Sequence, residues 1–284
     1  MKKLLIPVLL LAGLSGRLAN AQDNDQKRYL NDALLQKVWE TDAVLTTAES
    51  VLYDGGSNTL FVSNINGEPV AKDGNGFISM LDTTGKVRNL KWATGLNAPK
   101  GMAVMDGKLY VSDVDELVEI SLNSGNISKR YPVKGATFLN DVATDGKRIV
   151  VSDSRTGKIH ELKNGDMVML KDGQAGINGL AFSSEGVLYS LDKTGVVEHG
   201  SGSTRIVNKV VTGGDGLIIL KDNTFIVSRW QGEIYLVSNG MEKLLLDTKA
   251  QKSNTADIEY LSQTNLLLVP TFAKDRVVAY RLEF

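Results

Sequence analysis

No cysteine occurs in the sequence, so neither a thiol-linked lipid anchor nor a disulfide staple is available, and stability must come from packing. Long apolar runs are missing too: Leu4–Leu14 is too short to span a bilayer, and no later segment approaches the roughly 20 apolar residues a span needs. Nor are there basic runs, and a weakly acidic balance without them excludes nucleic acid as a partner. The chain lacks GxSxG and HExxH, which removes the nucleophile-elbow and zincin readings. No glycine-rich phosphate loop is present, because Gly213-Gly214 only lead into a strand. Proline is scarce, five residues against 28 glycines, and many short apolar runs are split by turn residues, a pattern that points to an all-β chain.

What is present begins with a leader. Met1–Ala21 has Lys2-Lys3, an apolar stretch and Ala19-Asn20-Ala21 before Gln22, the pattern of a secretory signal peptide with its cleavage site. Export to the periplasm or the outside is therefore expected. Three of the 32 basic residues lie in this leader, so 29 face 33 acids beyond it and the net charge there is −4. Leu30, Ala33 and Leu34 fall at one-face helical spacing and predict a short lead-in helix over Asp23–Gln36.

The rest repeats one stretch, Phe138–Asp153 (FLNDVATDGKRIVVSD): a polar residue, a short apolar strand, a tight turn at Asp145-Gly146, then a second apolar strand ending in Ser-Asp. Five further copies are Glu49–Asn64, Pro99–Asp113, Ile177–Asp192, Gly214–Arg229 and Ala256–Thr271. Their first polar positions, Glu49, Lys100, Asn140, Asn178, Asp215 and the apolar equivalent Ala256, are 51, 40, 38, 37 and 41 residues apart. That period suits propeller blades, four-stranded sheets apolar on both faces that each need a neighbour on either side. A six-bladed β-propeller over residues 37–284 is expected, with residues 22–36 as lead-in. The last repeat has only three strands, so an early strand near Gln36–Val44 should complete it and tie the ends together. The excess in the first spacing lies in the Asn64–Gly76 loop, either a lid or a tolerated insertion. Within it, Asp73-Gly74-Asn75-Gly76 hints at a calcium loop, but Phe77 breaks the ligand pattern and a plain turn is the better reading.

In such a ring the first residues of the innermost strands converge on the axis at one mouth. Glu49, Asn140, Asn178 and Asp215 then meet, offering two carboxylates and two amide oxygens, a hard donor set suited to a divalent cation, Ca²⁺ before Zn²⁺. Each alone reads more readily as a turn residue, and it is the set of four at equivalent positions that points to a cation. Lys100, at the same level, binds a substrate anion, fills the place of a cation or bends to solvent. Arg229 and Trp230 are candidate substrate contacts, Arg for carboxylates and Trp for stacking, unless Trp230 packs between blades. Arg155, Asp113 and Asp115 belong to the same mouth. Asp257 and Glu259 alternate on the sixth inner strand, where one could face the channel.

The order and spacing of Glu49-Ser50, Asn140-Asp141, Asn178-Gly179 and Asp215-Gly216 resemble the gluconolactonase, regucalcin and paraoxonase-like calcium-dependent propellers over nearly all of residues 38–284. The resemblance implies that Glu49, Asn178 and Asp215 are metal ligands, that Asn140 touches metal or substrate, and that Asp215 is also the general base in hydrolysis of a small-molecule lactone or ester by a monomer. Three departures stand against it. Phe138-Leu139 occupies the place of the gluconolactonase arginine, the two histidines, His160 and His199, fall on outer strands as packing or surface residues, and Lys100 carries a positive charge into the metal level. A ligand- or protein-binding propeller without catalysis is the competing expectation.

Overall fold

A computed structural model describes residues 27–200, 202–221 and 223–284. The expected leader peptide lies outside the described residues.

Six four-stranded antiparallel sheets follow one another around a ring. The innermost strands, in blade order, are Ala48–Asp54, Pro99–Met105, Leu139–Thr144, Leu180–Phe182, Leu217–Lys221 and Glu259–Leu261. Burial follows position in the blade. The second strands Thr59–Asn64, Ile149–Asp153 and Leu266–Pro270 are buried at every residue, because each is covered on both faces by neighbouring blades. An outermost strand such as Asp166–Lys171 is exposed or half-buried throughout. There is accordingly no single core. Six apolar clusters each join two adjacent blades, for example Phe61, Ile78, Leu109 and Val118 between blades 1 and 2, or Leu60, Leu81, Leu268 and Val277 between blades 1 and 6, and a seventh, small one gathers Ile65, Ala98 and Val114.

The ring is closed by Leu34–Glu40, which pairs antiparallel with Val277–Glu283 from Leu34 opposite Glu283 to Glu40 opposite Val278. This removes the free edge that blade 6 would otherwise present. The expected early strand is thus found, but it starts two residues earlier and ends four earlier than Gln36–Val44. The described part of the lead-in helix covers only residues 27–32. Leu30 and Ala33 are buried between blades 5 and 6, as the helical spacing implied, whereas Leu34 is 43% exposed. Ladder hydrogen bonds to the last strand win over helix continuation at Leu34, and Tyr29 stacks on Phe284 with centroids 4.1 Å apart to hold the lead-in against the chain end.

The serine near the end of five of the six second strands, followed by an aspartate in blades 2, 3 and 4, has a structural role. Ser63 and Ser152 accept the backbone N–H of Ser50 and Asp141 at 3.0 Å. Ser228 accepts from Gly216 N–H and donates to the Ala256 carbonyl of the next blade, and Ser112 donates to the Asn140 carbonyl. The aspartates fasten the incoming loops: Asp113 accepts Asn97 and Ala98 N–H, Asp153 accepts Thr137 and Arg155 N–H, and Asp192 accepts Thr194 N–H. No helix among the described residues is long and apolar enough to cross a membrane.

Candidate functional site

The first three inner strands begin with a break in register, between Ala48 and Ser50, Pro99 and Met102, and Leu139 and Val142. Such bulges put an extra residue into one strand and re-aim its side chain. Here the re-aimed residues are Glu49, Lys100 and Asn140. Asn178 and Asp215 stand just before their ladders, each fixed by its backbone N–H to the second strand of its own blade, at Leu191 and Ser228.

These five side chains meet at one cavity of about 290 Å³ at the ring mouth. The four expected oxygen donors and Lys100 form its polar part. Its remaining wall is apolar: Ile65 and Pro69 from the long first loop, Phe138, Trp230 and Phe272. The loop 64–76 therefore lines the site. Lys72 ties it to Asp115 at 2.6 Å, and Asp73 accepts Asn75 N–H and Nδ2–H, a turn within the loop.

The donors are held by partners that leave oxygens facing inward. Asn178 Nδ2 donates to Asp215 Oδ1 at 2.7 Å and Asn140 Nδ2 to Ser154 Oγ at 3.2 Å, so each amide keeps its oxygen free. Glu49 is buried and its Oε2 has no hydrogen-bond partner. Burial, then the charges of Asp215 and Asp257, pushes the Glu49 carboxyl well above its usual range. Burial, then Asp257, pushes Asp215 up to about 8, against the hydrogen bond from Asn178. Among the described residues no three His, Cys, Asp or Glu side chains form a metal site by themselves, so a cation held here draws on the amide oxygens as well.

Lys100 does not bend to solvent. It is 1% exposed, its ammonium donates to the Pro69 and Ala98 carbonyls at 2.9 Å each, and it lies 4.7 Å from the centre of the Phe138 ring. Burial lowers its pKa while Glu49 opposes the shift. Trp230 is 44% exposed at the rim and meets Phe272 edge-on at 5.4 Å, so it is not packed between blades. Its neighbour Arg229 is not part of the wall; it pairs with Glu233 at 3.2 Å. Arg155 lies against the Phe138 ring at 4.9 Å, Asp113 fastens a loop and Asp115 holds Lys72, so none of the three lines the cavity. His160 and His199 are buried on third strands, His199 hydrogen-bonded to Ser190 at 2.8 Å.

One layer deeper stand four small residues and two acids: Ser50, Gly101, Asp141, Gly179, Gly216 and Asp257 directly follow the six ring positions. The glycines are required by close approach. A Cβ on Gly101 would stand 2.5 Å from Asp141 Cα, one on Gly179 2.3 Å from the Asp215 carbonyl oxygen, and one on Gly216 2.5 Å from Ile258 N. Asp141 accepts Leu180 N–H at 2.6 Å and Asp257 accepts Ser50 Oγ–H at 2.6 Å, so each carboxylate bridges to a neighbouring blade. Both line a second cavity of about 440 Å³ that runs toward the other mouth, as does Glu259. The sequence signal for this layer was the X-Gly pairs themselves, which read as turn residues until the strands are seen to converge.

No protein-family profile matches the chain, and no curated protein does. Solved structures do match in fold. A luciferin-regenerating enzyme aligns with a TM-score of 0.63 and 15% identity over 89% of this chain and 95% of its own. A protein provisionally described as a gluconolactonase aligns with a TM-score of 0.61 and 15% identity over 88% and 92%. A catalytically inactive virginiamycin B lyase from Staphylococcus aureus, solved with quinupristin, gives 0.61 and 12% over 89% and 100%. The six-bladed architecture expected from the resemblance is the architecture observed.

Proposed function

We propose that the chain is an exported, monomeric, metal-dependent hydrolase of lactones or related esters, with Glu49, Asn140, Asn178 and Asp215 as the ligand set. The observation that carries this is the convergence of four oxygen donors from four blades on one cavity, with the buried Glu49 Oε2 left without a partner. A buried, partnerless carboxylate oxygen costs stability unless something compensates it, and a hard divalent cation does so. Calcium suits the mixed carboxylate and amide set, and zinc is the second choice. The likeness in fold to a luciferin-regenerating enzyme and a gluconolactonase candidate supports the same class.

A bound divalent ion would polarise the substrate carbonyl and lower the pKa of water. The chain's own residues do the rest. Asp215, with Oδ1 fixed by Asn178, is placed to take a proton from the attacking water. Lys100 holds a positive charge at the same cavity, where it can meet the developing negative charge on the carbonyl oxygen. The apolar wall lowers the local dielectric and strengthens both effects.

The test is hydrolysis of a panel of lactones and aryl esters by the purified protein with Ca²⁺, with Zn²⁺ and after chelation. Metal-dependent turnover that disappears in Asp215→Asn without loss of melting temperature is expected; turnover retained in that variant would sink the mechanism. A second reading, a binding propeller without catalysis, is favoured by Lys100, whose two backbone hydrogen bonds fix an ammonium where a metal would otherwise meet less positive charge. Bound metal with no turnover of any panel member would support it.

A further inference from the structure

Taking the hydrolase reading as its premise, we infer that the substrate is an apolar, monocyclic lactone or compact ester and that sugar-like ones are discriminated against. Four of the ten cavity-lining side chains carry no hydrogen-bonding group, Ile65, Pro69, Phe138 and Phe272, and a fifth, Trp230, offers only its indole N–H. The polar half consists of the four donors assigned to the ion and Lys100. A polyhydroxylated ring placed here would find its hydroxyls facing hydrocarbon.

The cations that could serve such groups are engaged elsewhere. Arg229 is turned to Glu233, Arg155 lies on the Phe138 ring outside the cavity, and Lys100 spends two of its three N–H bonds on the Pro69 and Ala98 carbonyls. Phe138 itself stands two residues before Asn140 and presents a ring to the cavity. At the rim, the edge-on pair of Trp230 and Phe272 offers a planar or aliphatic substituent two aromatic surfaces. The volume sets the size of the part held inside the mouth: about 290 Å³ is roughly ten water volumes, room for one ring with a short substituent.

An apolar pocket rejects an added hydroxyl by about a hundredfold. The experiment measures binding and turnover separately, with calcium present. For binding, calorimetric titration compares two slowly hydrolysed lactams, 5-phenylpyrrolidin-2-one and gluconolactam, against the intact protein and the variants Trp230→Ala and Phe272→Ala. The phenyl lactam should bind at least about a hundredfold tighter, and each variant should lose tenfold or more of that affinity at unchanged melting temperature. Because Trp230 is an exposed rim residue, its variant keeps the test informative should Phe272→Ala fold poorly. Equal or tighter binding of gluconolactam, or no binding of the phenyl lactam, overturns the inference. For turnover, γ-phenyl-γ-butyrolactone is compared with glucono-δ-lactone. Hydrolysis of the sugar lactone alone overturns the inference and keeps the hydrolase reading. Binding of the phenyl lactam without turnover of either lactone upholds the apolar recognition and defeats the hydrolase reading.

Discussion

Exchanging Glu49 for Gln should move the melting temperature in opposite directions with and without a divalent ion. Without the ion, folding buries a carboxylate whose Oε2 has no partner, in the field of Asp215, Asp257 and Asp141. Lys100 opposes this, but burial and the two nearest acids outweigh it. Keeping this carboxyl charged, or protonating it on folding, costs on the order of 1–3 kcal/mol at neutral pH, and the neutral amide avoids that cost at nearly constant shape. At about 2–4 °C per kcal/mol for a chain of this size, the metal-free variant should melt a few degrees above the parent. With the ion at about a thousand times its Kd, the parent gains about 4 kcal/mol by mass action. The variant has lost one of two charged ligands, so its shift on adding the ion should be small. Scanning calorimetry of both proteins, chelated and with excess calcium at equal ionic strength, reads the crossing. A variant less stable than the parent by the same amount in both conditions would refute the reasoning, because Glu49 would then be a packing residue.

Other outcomes follow from the fold. Burial holds His199 neutral, with its pKa pushed from 6.5 to about 4. The unfolded chain takes up that proton below about 6.5 and the folded one only near 4, so its share of stability is full above 6.5 and is lost as the pH falls through that window, by up to about 3 kcal/mol; urea unfolding should show His199→Gln flattening the acid slope between pH 6.5 and 4. Gly179→Ala would put a Cβ 2.3 Å from the Asp215 carbonyl, and the forced backbone shift should cost about 1–3 kcal/mol in unfolding experiments and disturb ion binding together with stability. Unchanged calcium affinity in that variant would argue against the tight convergence at the axis. A chain beginning after Glu40 leaves Val277–Glu283 as an open edge, and light scattering should show it associating where the full protein does not.

Much of this was legible in the residues because the ring repeats. Second strands covered on both faces demand unbroken apolar runs, and those runs, five of them closing on a serine and a polar residue, carry the blade count. The oxygen donors were legible for the same reason: each stands at the same place in its repeat, so one geometric rule collects Glu49, Asn140, Asn178 and Asp215. The cavity wall was not. Ile65, Pro69 and Phe272 sit in connections whose path no periodicity dictates, and only the folded chain brings them beside Phe138. Arg229 was misplaced because adjacency to Trp230 says nothing about which way a long side chain turns when Glu233 lies across the hairpin. The lead-in was misjudged at Leu34, where partners more than 240 residues away in the chain override local helical spacing.

The six interblade clusters have a consequence for how such a site can change. None of Glu49, Lys100, Asn140, Asn178, Asp215 or Trp230 belongs to any of them. Most of the fold's apolar packing is distributed around the circumference, and at the mouth one small cluster, Ile65, Ala98 and Val114 with Phe272 against it, backs the site. A substitution at one ring position therefore touches its neighbours across the axis, as Asn178 touches Asp215, and leaves the six interblade apolar clusters as they were. Drift in specificity can proceed blade by blade, without passing through an unfolded ancestor.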